Sequence, residues 1–212
     1  MPECMRFDDP YFSAENGLAE AQHVFLAGNR LAQRFCAGFH IAELGFGTGL
    51  NLLAAWSLWR ESGFDSPLRF TSFEAFPMSV SEMAKSHARW PELAAQSRIL
   101  LSAWSDDGCI NLPDLRLRVI FGDANQTVPN WNNLADAWFL DGFSPAKNPD
   151  MWSAQLLDQV AKHTAPKGSF ATYTAAGHVR RNLSKAGFDV QRVAGFGKKR
   201  HMTTGQRNAH AR

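Results

Sequence analysis

Short, mostly apolar runs alternate along the chain with segments of helical spacing. The first clear run covers residues 39–44 and is followed by three closely spaced glycines. Behind the glycines, apolar residues recur three and four positions apart, at Leu50, Leu53, Ala54 and Leu58. A short apolar run fits a buried strand, and the three-and-four spacing fits one face of a helix. This stretch therefore predicts a strand, a glycine-rich turn and a helix.

The same order of elements recurs further along the chain. Residues 68–74 alternate as a second strand, and Ser79 with Glu82 has capping-box spacing, which predicts a helix start. The other predicted strands are residues 115–121, 137–140, 168–174, 188–193 and 201–205, and a further predicted helix is 177–186. We therefore expect repeated strand–helix units.

Turn-forming residues mark the boundaries between these units. Gly108 and Pro113 interrupt residues 99–115, which are expected to be irregular. Asn148 before Pro149 predicts a further helix, because asparagine caps helices and proline fits their first turn.

Strands that alternate with helices are typical of an α/β fold with a mostly parallel sheet and helices on both faces. We expect seven strands in that sheet, within a domain over residues 39–212. Residues 1–38 carry too many apolar side chains for a disordered leader, so we expect an N-terminal extension that packs on the domain. Within it, residues 22–26 are interpreted as a short strand or a loop, and 28–35 as a short helix.

Length and composition limit the class of protein. The 212 residues suffice for one full α/β domain, and 45% hydrophobic with 20% charged residues is ordinary for a globular protein. No apolar run approaches the ~18 residues needed to span a membrane, and residues 1–6 lack the apolar core of a signal peptide. The three cysteines are widely spaced, which argues against a zinc site or a disulfide framework. We therefore expect no membrane association, no metal and a cytoplasmic location.

Charge is distributed unevenly along the chain. From Lys162 onward there are 11 Lys and Arg residues and one acid, Asp189, whereas residues 1–161 hold 11 basic and 19 acidic residues. A basic C-terminal third can indicate a polyanionic partner such as a nucleic acid. A solvated surface that keeps the protein soluble explains the same count equally well.

The glycines at Gly45, Gly47 and Gly49 indicate a small-molecule site. Glycine takes positive φ and allows close approach of the backbone to a ligand. The spacing differs from the G-x-G-x-x-G dinucleotide fingerprint, and no Gly-Lys-Ser/Thr follows as in a phosphate loop. An acid at a strand end followed by Gly-x-Gly-x-Gly resembles Rossmann-like S-adenosylmethionine-dependent methyltransferases. A glycine turn of this kind also occurs in many other α/β proteins.

Four carboxylates fall at the ends of four predicted strands: Glu43, Glu74, Asp123 and Asp141. Ligands of open α/β sheets bind at the carboxyl ends of the strands, and a carboxylate at the second strand end accepts hydrogen bonds from ribose hydroxyls. Glu74 has that position, and Asp123 could accept from an adenine amino group. A solvated strand-end glutamate is the alternative for Glu74.

Longer motifs restrict the resemblance to one family within these methyltransferases. The chain resembles the methyltransferase half of the bacterial bifunctional tRNA wobble-uridine modification enzymes (MnmC type) over about residues 7–205. The motifs that carry the resemblance are Tyr11-Phe-Ser, His23-Val-Phe-Leu, Glu43-Leu-Gly-Phe-Gly-Thr-Gly-Leu-Asn, Phe73-Glu-x-Phe-Pro, Asp141-Gly-Phe-Ser-Pro-Ala-Lys-Asn-Pro-Asp-Met-Trp and Gly195-Phe-Gly-Lys-Lys-Arg.

The resemblance implies a class I, Rossmann-like fold, S-adenosylmethionine as cofactor and tRNA as partner. It implies methylation of the amine of 5-aminomethyl-2-thiouridine at the wobble position. Bifunctional members continue into a flavin-dependent oxidase that removes a carboxymethyl group, for which a chain ending at Arg212 has no room. We therefore expect a stand-alone or shortened form, and a separate oxidase as a possible partner.

Strand ends and resemblance together define the candidate site. Asp141 is the candidate catalytic residue, because a carboxylate beside an alkylamine can orient it and receive its proton. The alternative for Asp141 is an aspartate that only stabilises its turn. The candidate cofactor-binding residues are Glu43, Gly45, Gly47, Gly49, Asn51, Glu74 and Asp123. The candidate substrate-binding residues are Phe143, expected to stack on the base, and Lys147, Arg180, Arg181, Lys198, Lys199 and Arg200.

Two other functions stay open from the sequence. The chain could bind cofactor and tRNA, or dock on a separate oxidase, without turnover. It could also methylate a small molecule, although the basic C-terminal third argues mildly against that.

Overall fold

The computed structural model describes residues 3–4, 9–10 and 16–208, so the Tyr11-Phe-Ser motif lies outside the described residues. The strands are β1 (Glu3–Cys4), β2 (Asp9–Pro10), β3 (His40–Leu44), β4 (Leu68–Glu74), β5 (Cys109–Leu112), β6 (Leu115–Phe121), β7 (Ala135–Leu140), β8 (Thr164–Thr172), β9 (Phe188–Ala194) and β10 (His201–Arg207). The α-helices are α1 (Gly17–Ala21), α2 (Leu31–Arg34), α3 (Leu50–Glu61), α4 (Val80–His87), α5 (Ala94–Ser102), α6 (Ala124–Thr127), α7 (Ala154–Lys162) and α8 (Gly177–Lys185). A π-helix covers Gln22–Ala27, and 3₁₀ turns cover Pro91–Leu93, Val128–Asn130 and Pro149–Trp152.

Eight of the strands form one sheet in the order β5-β6-β4-β3-β7-β8-β10-β9. The five strands from β6 to β8 pair in parallel, and β5, β10 and β9 pair antiparallel at the two edges. β1 and β2 pair separately as a two-stranded ribbon. The α/β fold with a mostly parallel central sheet is therefore confirmed.

The eighth strand is where the sequence prediction of seven strands fell short. β5 lies within the stretch expected to be irregular and pairs with β6 in register Leu112↔Leu115. Pro113 therefore occupies the tight turn of a hairpin instead of interrupting a loop. Only four residues of β5 pair, so its alternation is too short to stand out in sequence.

Apolar side chains cover both faces of the sheet. β7 shows the alternation: Ala137 and Phe139 belong to one apolar cluster, and Trp138 and Leu140 belong to the other. The first cluster packs against the N-terminal helices, α3, α4 and α5, and the second against α6, α7 and α8. The helices on both faces follow from this two-sided burial.

The N-terminal helices pack on the sheet through buried side chains such as Leu18, Val24, Phe25 and Leu31. Residues 22–26 lie in the π-helix, so their interpretation as a strand or a loop was wrong. Three successive apolar residues at Val24–Leu26 resemble a strand in sequence, but here they fill the space over α3 and β8. The division into an extension ending at residue 38 and a domain from residue 39 stays a prediction.

One of the two predicted helix caps is present in the structure, and the other is replaced by a different residue. The Ser79 and Glu82 capping box is present at α4. At the later site Asn148 makes no side-chain cap; Ser153 Oγ instead accepts from Leu156 N at 3.2 Å, and α7 begins after a 3₁₀ turn. Pro149 starts that turn, which displaces the helix proper by one turn.

The register of the parallel strands brings their carboxyl ends to one edge. Leu44 lies opposite Phe73 in β4 and opposite Leu140 in β7, and Glu74 lies opposite Phe121 in β6. The segments that leave β3, β4, β6 and β7 therefore meet at the same edge.

Candidate active site

A cleft of about 1060 Å³ opens at that edge. Its volume lies just above the range usual for small-molecule sites, roughly 300–1000 Å³. Nine of the sequence-predicted site residues line it: Gly45, Gly47, Asn51, Glu74, Asp123, Asp141, Phe143, Lys198 and Lys199. Glu43, Gly49, Lys147, Arg180, Arg181 and Arg200 do not belong to the lining.

The glycine loop between β3 and α3 is a backbone surface without side chains. Gly45, Gly47 and Gly49 have φ of 87°, 52° and 78°, in the left-handed region that favours glycine. A Cβ on Gly45 would lie 2.3 Å from the carbonyl oxygen of Asp141. The loop can therefore approach the end of β7 this closely only with glycine at position 45. A Cβ on Gly49 would press on the Phe46 ring at 2.9 Å, which gives Gly49 a packing role behind the cleft.

Glu74 holds the glycine loop from the neighbouring strand. Its Oε2 accepts from Gly47 N at 2.8 Å and its Oε1 accepts from Phe76 N at 2.7 Å. Each carboxylate oxygen can accept a second hydrogen bond. Glu74 is only 6% exposed, and that exposed part faces the cleft. The carboxylate can thus accept from a pair of hydroxyls while it keeps the loop in place.

Asn51 links two carboxyl groups on either side of the loop. Its Nδ2 donates to Glu43 Oε1 at 2.9 Å and to Asp141 Oδ2 at 2.6 Å, and Ser72 Oγ donates to Glu43 Oε2 at 2.7 Å. Glu43 is fully buried, and this burial raises its pKa well above the usual range. A direct contact between Glu43 and a ligand therefore does not fit this geometry; Glu43 anchors Asn51 from below.

Asp141 is partly open to the cleft but is otherwise surrounded by protein. Burial raises the pKa of Asp141 to about 7, against the opposing effect of the Asn51 hydrogen bond. A carboxyl group with this pKa exchanges its proton near neutral pH, which suits a general base.

Asp123 and Phe143 both line the cleft and are held there by local hydrogen bonds. Asp123 caps α6, with Oδ1 accepting from Asn125 N at 2.9 Å. The carbonyl of Phe143 accepts from Trp152 Nε1 at 2.9 Å, which ties the loop after β7 to the buried Trp152. Asp123 therefore combines a structural role as a helix cap with a position in the cleft lining.

Sequence reasoning missed a cluster at the rim of the cleft. Lys199 Nζ lies 2.8 Å from Glu20 Oε1 and 4.2 Å from the centroid of the Tyr173 ring. Tyr173 Oη donates to the carbonyl of Gly142 at 2.7 Å, immediately after Asp141. Glu20 and Lys199 are far apart in sequence, so no spacing rule could have joined them.

His87 was also missed, and it supports the glycine loop. Its Nε2 lies 2.7 Å from the carbonyl oxygen of Thr48 and its Nδ1 lies 2.8 Å from Ser97 Oγ. Burial lowers the pKa of His87, so the ring stays neutral as it holds the loop backbone. A single histidine in an amphipathic helix carries no sequence signal for this role.

The basic candidates divide into two groups. Lys198 and Lys199 lie in the turn between β9 and β10 and reach the cleft, with exposed Arg200 beside them. Arg180 and Arg181 lie on α8, away from the cleft lining, and Lys147 is exposed on the loop after β7. The structure thus brings together only part of the predicted substrate-binding set.

Across the residues that the structure describes, no helix has the length and apolar character to cross a membrane.

The sequence matches the model of one family of known proteins. The model of a family described as S-adenosyl-L-methionine-dependent methyltransferase matches residues 91–208, more than half of the chain. This segment begins after the glycine loop, so the match is independent of the Gly-x-Gly-x-Gly motif.

Solved structures show the same likeness. The chain is similar to MnmC2 from Aquifex aeolicus, with 27% identity and a TM-score of 0.78 over 97% of this chain and 66% of that one. It therefore spans just under two thirds of the length of that protein. The fold is also shared with S-adenosylmethionine-bound CalS10, an amino pentose methyltransferase from Micromonospora echinaspora (14% identity, TM-score 0.51, 90% and 91% of the two chains). A further likeness is to TrmN from Thermus thermophilus (16% identity, TM-score 0.52, 91% and 53%).

Proposed function

The chain belongs to the family of S-adenosyl-L-methionine-dependent methyltransferases, and from this premise we propose that it methylates the amine of 5-aminomethyl-2-thiouridine at the wobble position of tRNA. The observation that carries the proposal is Asp141, a carboxyl group with a pKa of about 7 in the same cleft as the glycine loop. Support comes from the likeness to MnmC2 over 97% of this chain.

The cleft fits the cofactor of the family. The glycine loop offers bare backbone, Glu74 offers carboxylate oxygens for the ribose hydroxyls, and Asp123 offers an acceptor for the adenine amino group. When bound, S-adenosylmethionine supplies a methyl group activated by its sulfonium centre. Glu43 holds Asn51 and so acts on the cofactor only indirectly.

Asp141 can remove the proton that prevents the acceptor amine from attacking the methyl group. An alkylamine with a pKa near that of lysine, ~10, is almost fully protonated at pH 7 and has no free lone pair. Asp141 in its ionised form accepts the proton from the ammonium group at a carboxylate oxygen. Asn51 keeps the carboxyl group in a fixed orientation while the proton moves. Positioning of the amine supplies much of the remaining rate.

The tRNA is held outside the cleft by basic side chains. Lys198 and Arg200 are exposed beside the cleft entrance, and Phe143 in the cleft wall can stack on the wobble base. Arg180, Arg181 and Lys147 extend this basic surface in our proposal. A tRNA substrate also implies a cytoplasmic location, and a separate flavin-dependent oxidase would supply the amine by removing a carboxymethyl group.

The test is methylation of bulk tRNA from cells that lack this modification, with labelled cofactor and nucleoside analysis of the product. We expect the label in 5-methylaminomethyl-2-thiouridine. Label in another nucleoside would replace the substrate assignment. Absence of label with intact cofactor binding would instead favour a non-catalytic module or a small-molecule methyltransferase.

A further inference from the structure

The Lys199 ammonium group occupies a small cation site at the rim of the cleft. The site consists of Glu20 Oε1 at 2.8 Å and the face of the Tyr173 ring at 4.2 Å. A carboxylate beside an aromatic face is a favourable environment for an ammonium ion, because a charge-assisted hydrogen bond and a cation–π contact act together. Lys199 thus shows where a primary ammonium group is stable in this cleft.

Glu20 and Tyr173 are held in place more firmly than the Lys199 side chain that lies between them. Glu20 belongs to α1, which packs on the core through Leu18 and Ala21, and its side chain is 14% exposed. The Tyr173 ring is tied to the backbone at Gly142. The Lys199 side chain is 49% exposed and reaches the site from the turn between β9 and β10 through a long, rotatable stem. Lys199 can therefore leave while Glu20 and Tyr173 stay in place.

The site also lies beside the proposed base. Tyr173 bonds to Gly142, the residue after Asp141, and both line the same cleft. Burial has the largest effect on the pKa of Asp141, but the Glu20 charge also raises this pKa and the Lys199 charge lowers it. An ammonium group that replaced Lys199 would keep a positive charge close to Asp141.

We propose that Glu20 and Tyr173 bind the ammonium group of the substrate, and that Lys199 competes for this site when no substrate is bound. The proposal rests on the proposed function in that the substrate is a primary amine on a pyrimidine nucleoside. It gives Glu20 a specificity role: a cationic aminomethyl group is accepted, and a neutral group of the same size is not.

The test measures binding of 5-aminomethyluridine to the 212-residue chain by calorimetry, with 5-hydroxymethyluridine as the uncharged analogue. These nucleosides carry no phosphate, so contacts to the tRNA backbone do not contribute. The wild type should bind the amine more tightly than the alcohol. Lys199→Met removes the competing charge and keeps most of the stem, so it should tighten amine binding at least fivefold and leave alcohol binding unchanged.

Glu20 is tested in the background that lacks the competitor. Glu20→Gln combined with Lys199→Met should weaken amine binding at least tenfold relative to Lys199→Met alone, with unchanged alcohol binding. Tyr173→Phe keeps the ring and should retain most of the amine affinity, whereas Tyr173→Leu should lose it. Thermal melting of each variant separates loss of binding from loss of the fold.

The outcomes distinguish this inference from the proposed function. Equal binding of the two nucleosides, or weaker or unchanged amine binding in Lys199→Met, would overturn the ammonium site even if bulk tRNA is methylated. If bulk tRNA is not methylated but the amine is preferred and Lys199→Met tightens it, the ammonium site holds and the tRNA assignment fails.

Discussion

Asn51 Nδ2 lies 2.6 Å from Asp141 Oδ2 and 2.9 Å from Glu43 Oε1, so one amide group bridges two carboxyl groups of raised pKa. The bridge begins at a fully buried residue and ends at the cleft. It restricts rotation of the Asp141 carboxyl group and opposes the effect of burial on its pKa. Chemistry at Asp141 should therefore depend on Asn51 through this hydrogen bond.

Asp141→Asn is expected to slow methyl transfer without changing the fold. The substitution keeps the size but removes the negative charge, and general-base assistance is typically worth ~10²–10⁴ in rate. In the wild type, only the ionised form of Asp141 accepts the proton, so the single-turnover rate should rise with pH up to about 7 and then level off. In Asp141→Asn the rate should keep rising toward pH ~10, as free amine becomes available.

Single-turnover rates across this pH range check the assignment, with cofactor affinity and melting temperature as controls. Wild-type turnover in Asp141→Asn would reduce Asp141 to a turn-stabilising residue. Asp123 would then be the next candidate for the base.

Asn51→Leu should move the pH profile upward. Leucine has a similar volume but cannot donate to Asp141, and loss of this hydrogen bond removes an effect that lowers the pKa of Asp141. The break in the rate profile should therefore lie at a higher pH than in the wild type. Ser72→Ala is the matched control, because Ser72 donates to Glu43 and not to Asp141. A break at the same pH in Asn51→Leu and in the wild type would show that the bridge does not tune the base.

The positions of the strand-end carboxylates could largely be predicted from the sequence. Glu74, Asp123 and Asp141 all line the cleft, because parallel strands of similar register end at one edge of the sheet. Glu43 satisfied the same rule but lies behind the loop. Its position one residue before the end of β3, which stops at Leu44, turns its side chain toward Ser72 and Asn51.

The rest of the site depends on contacts between distant segments. Glu20 meets Lys199 only because α1 packs beside the turn between β9 and β10, and His87 reaches Thr48 only because α4 lies over the glycine loop. Local patterns carry no information on such pairs, which arise from the packing of complete elements.

Glu74→Ala should weaken cofactor binding at least tenfold. Two hydrogen bonds from ribose hydroxyls to a carboxylate contribute roughly 1.5–3 kcal/mol each, and 1.4 kcal/mol corresponds to a factor of ten. The variant also leaves Gly47 N and Phe76 N without their acceptor. Calorimetry with S-adenosylmethionine measures the effect. Glu82→Ala is the control, since it removes a carboxylate from the cap of α4 outside the cleft; equal affinities in both variants would refute the ribose role.

Gly45→Ala and Gly38→Ala form a matched pair. Both glycines have positive φ, 87° and 78°, so alanine costs each about 1–2 kcal/mol of backbone strain. A Cβ on Gly38 meets nothing within 4 Å, whereas a Cβ on Gly45 meets the Asp141 carbonyl oxygen at 2.3 Å. Both variants should melt at lower temperature, but only Gly45→Ala should lose cofactor affinity and turnover. Similar cofactor affinity in the two variants would mean that the loop relaxes without cost to the site.

Neutralising the turn between β9 and β10 should weaken tRNA binding and reduce its salt dependence. Each phosphate contact contributes roughly 0.7–0.9 to the slope of log affinity against log salt, because bound counterions are released. Lys198→Gln with Arg200→Gln removes two of the three charges of this turn, and the triple variant that also carries Lys199→Gln shows whether Lys199, which leaves Glu20 when the substrate amine binds, adds a further phosphate contact. Cofactor affinity should be unchanged in the double variant.

The control for this prediction neutralises Lys85, Arg89 and Arg98, which are exposed on and beside α4 and α5 and do not line the cleft. Filter binding across a salt series gives both slopes. If the salt dependence of tRNA binding changes in the control variant but not in the variants of the turn between β9 and β10, the phosphate contacts lie outside that turn. Of the N-terminal arginines, Arg34 is committed to the structure, since it donates to the carbonyls of Asn29 and Asp136. Exposed Arg30 would then be the next basic residue to substitute.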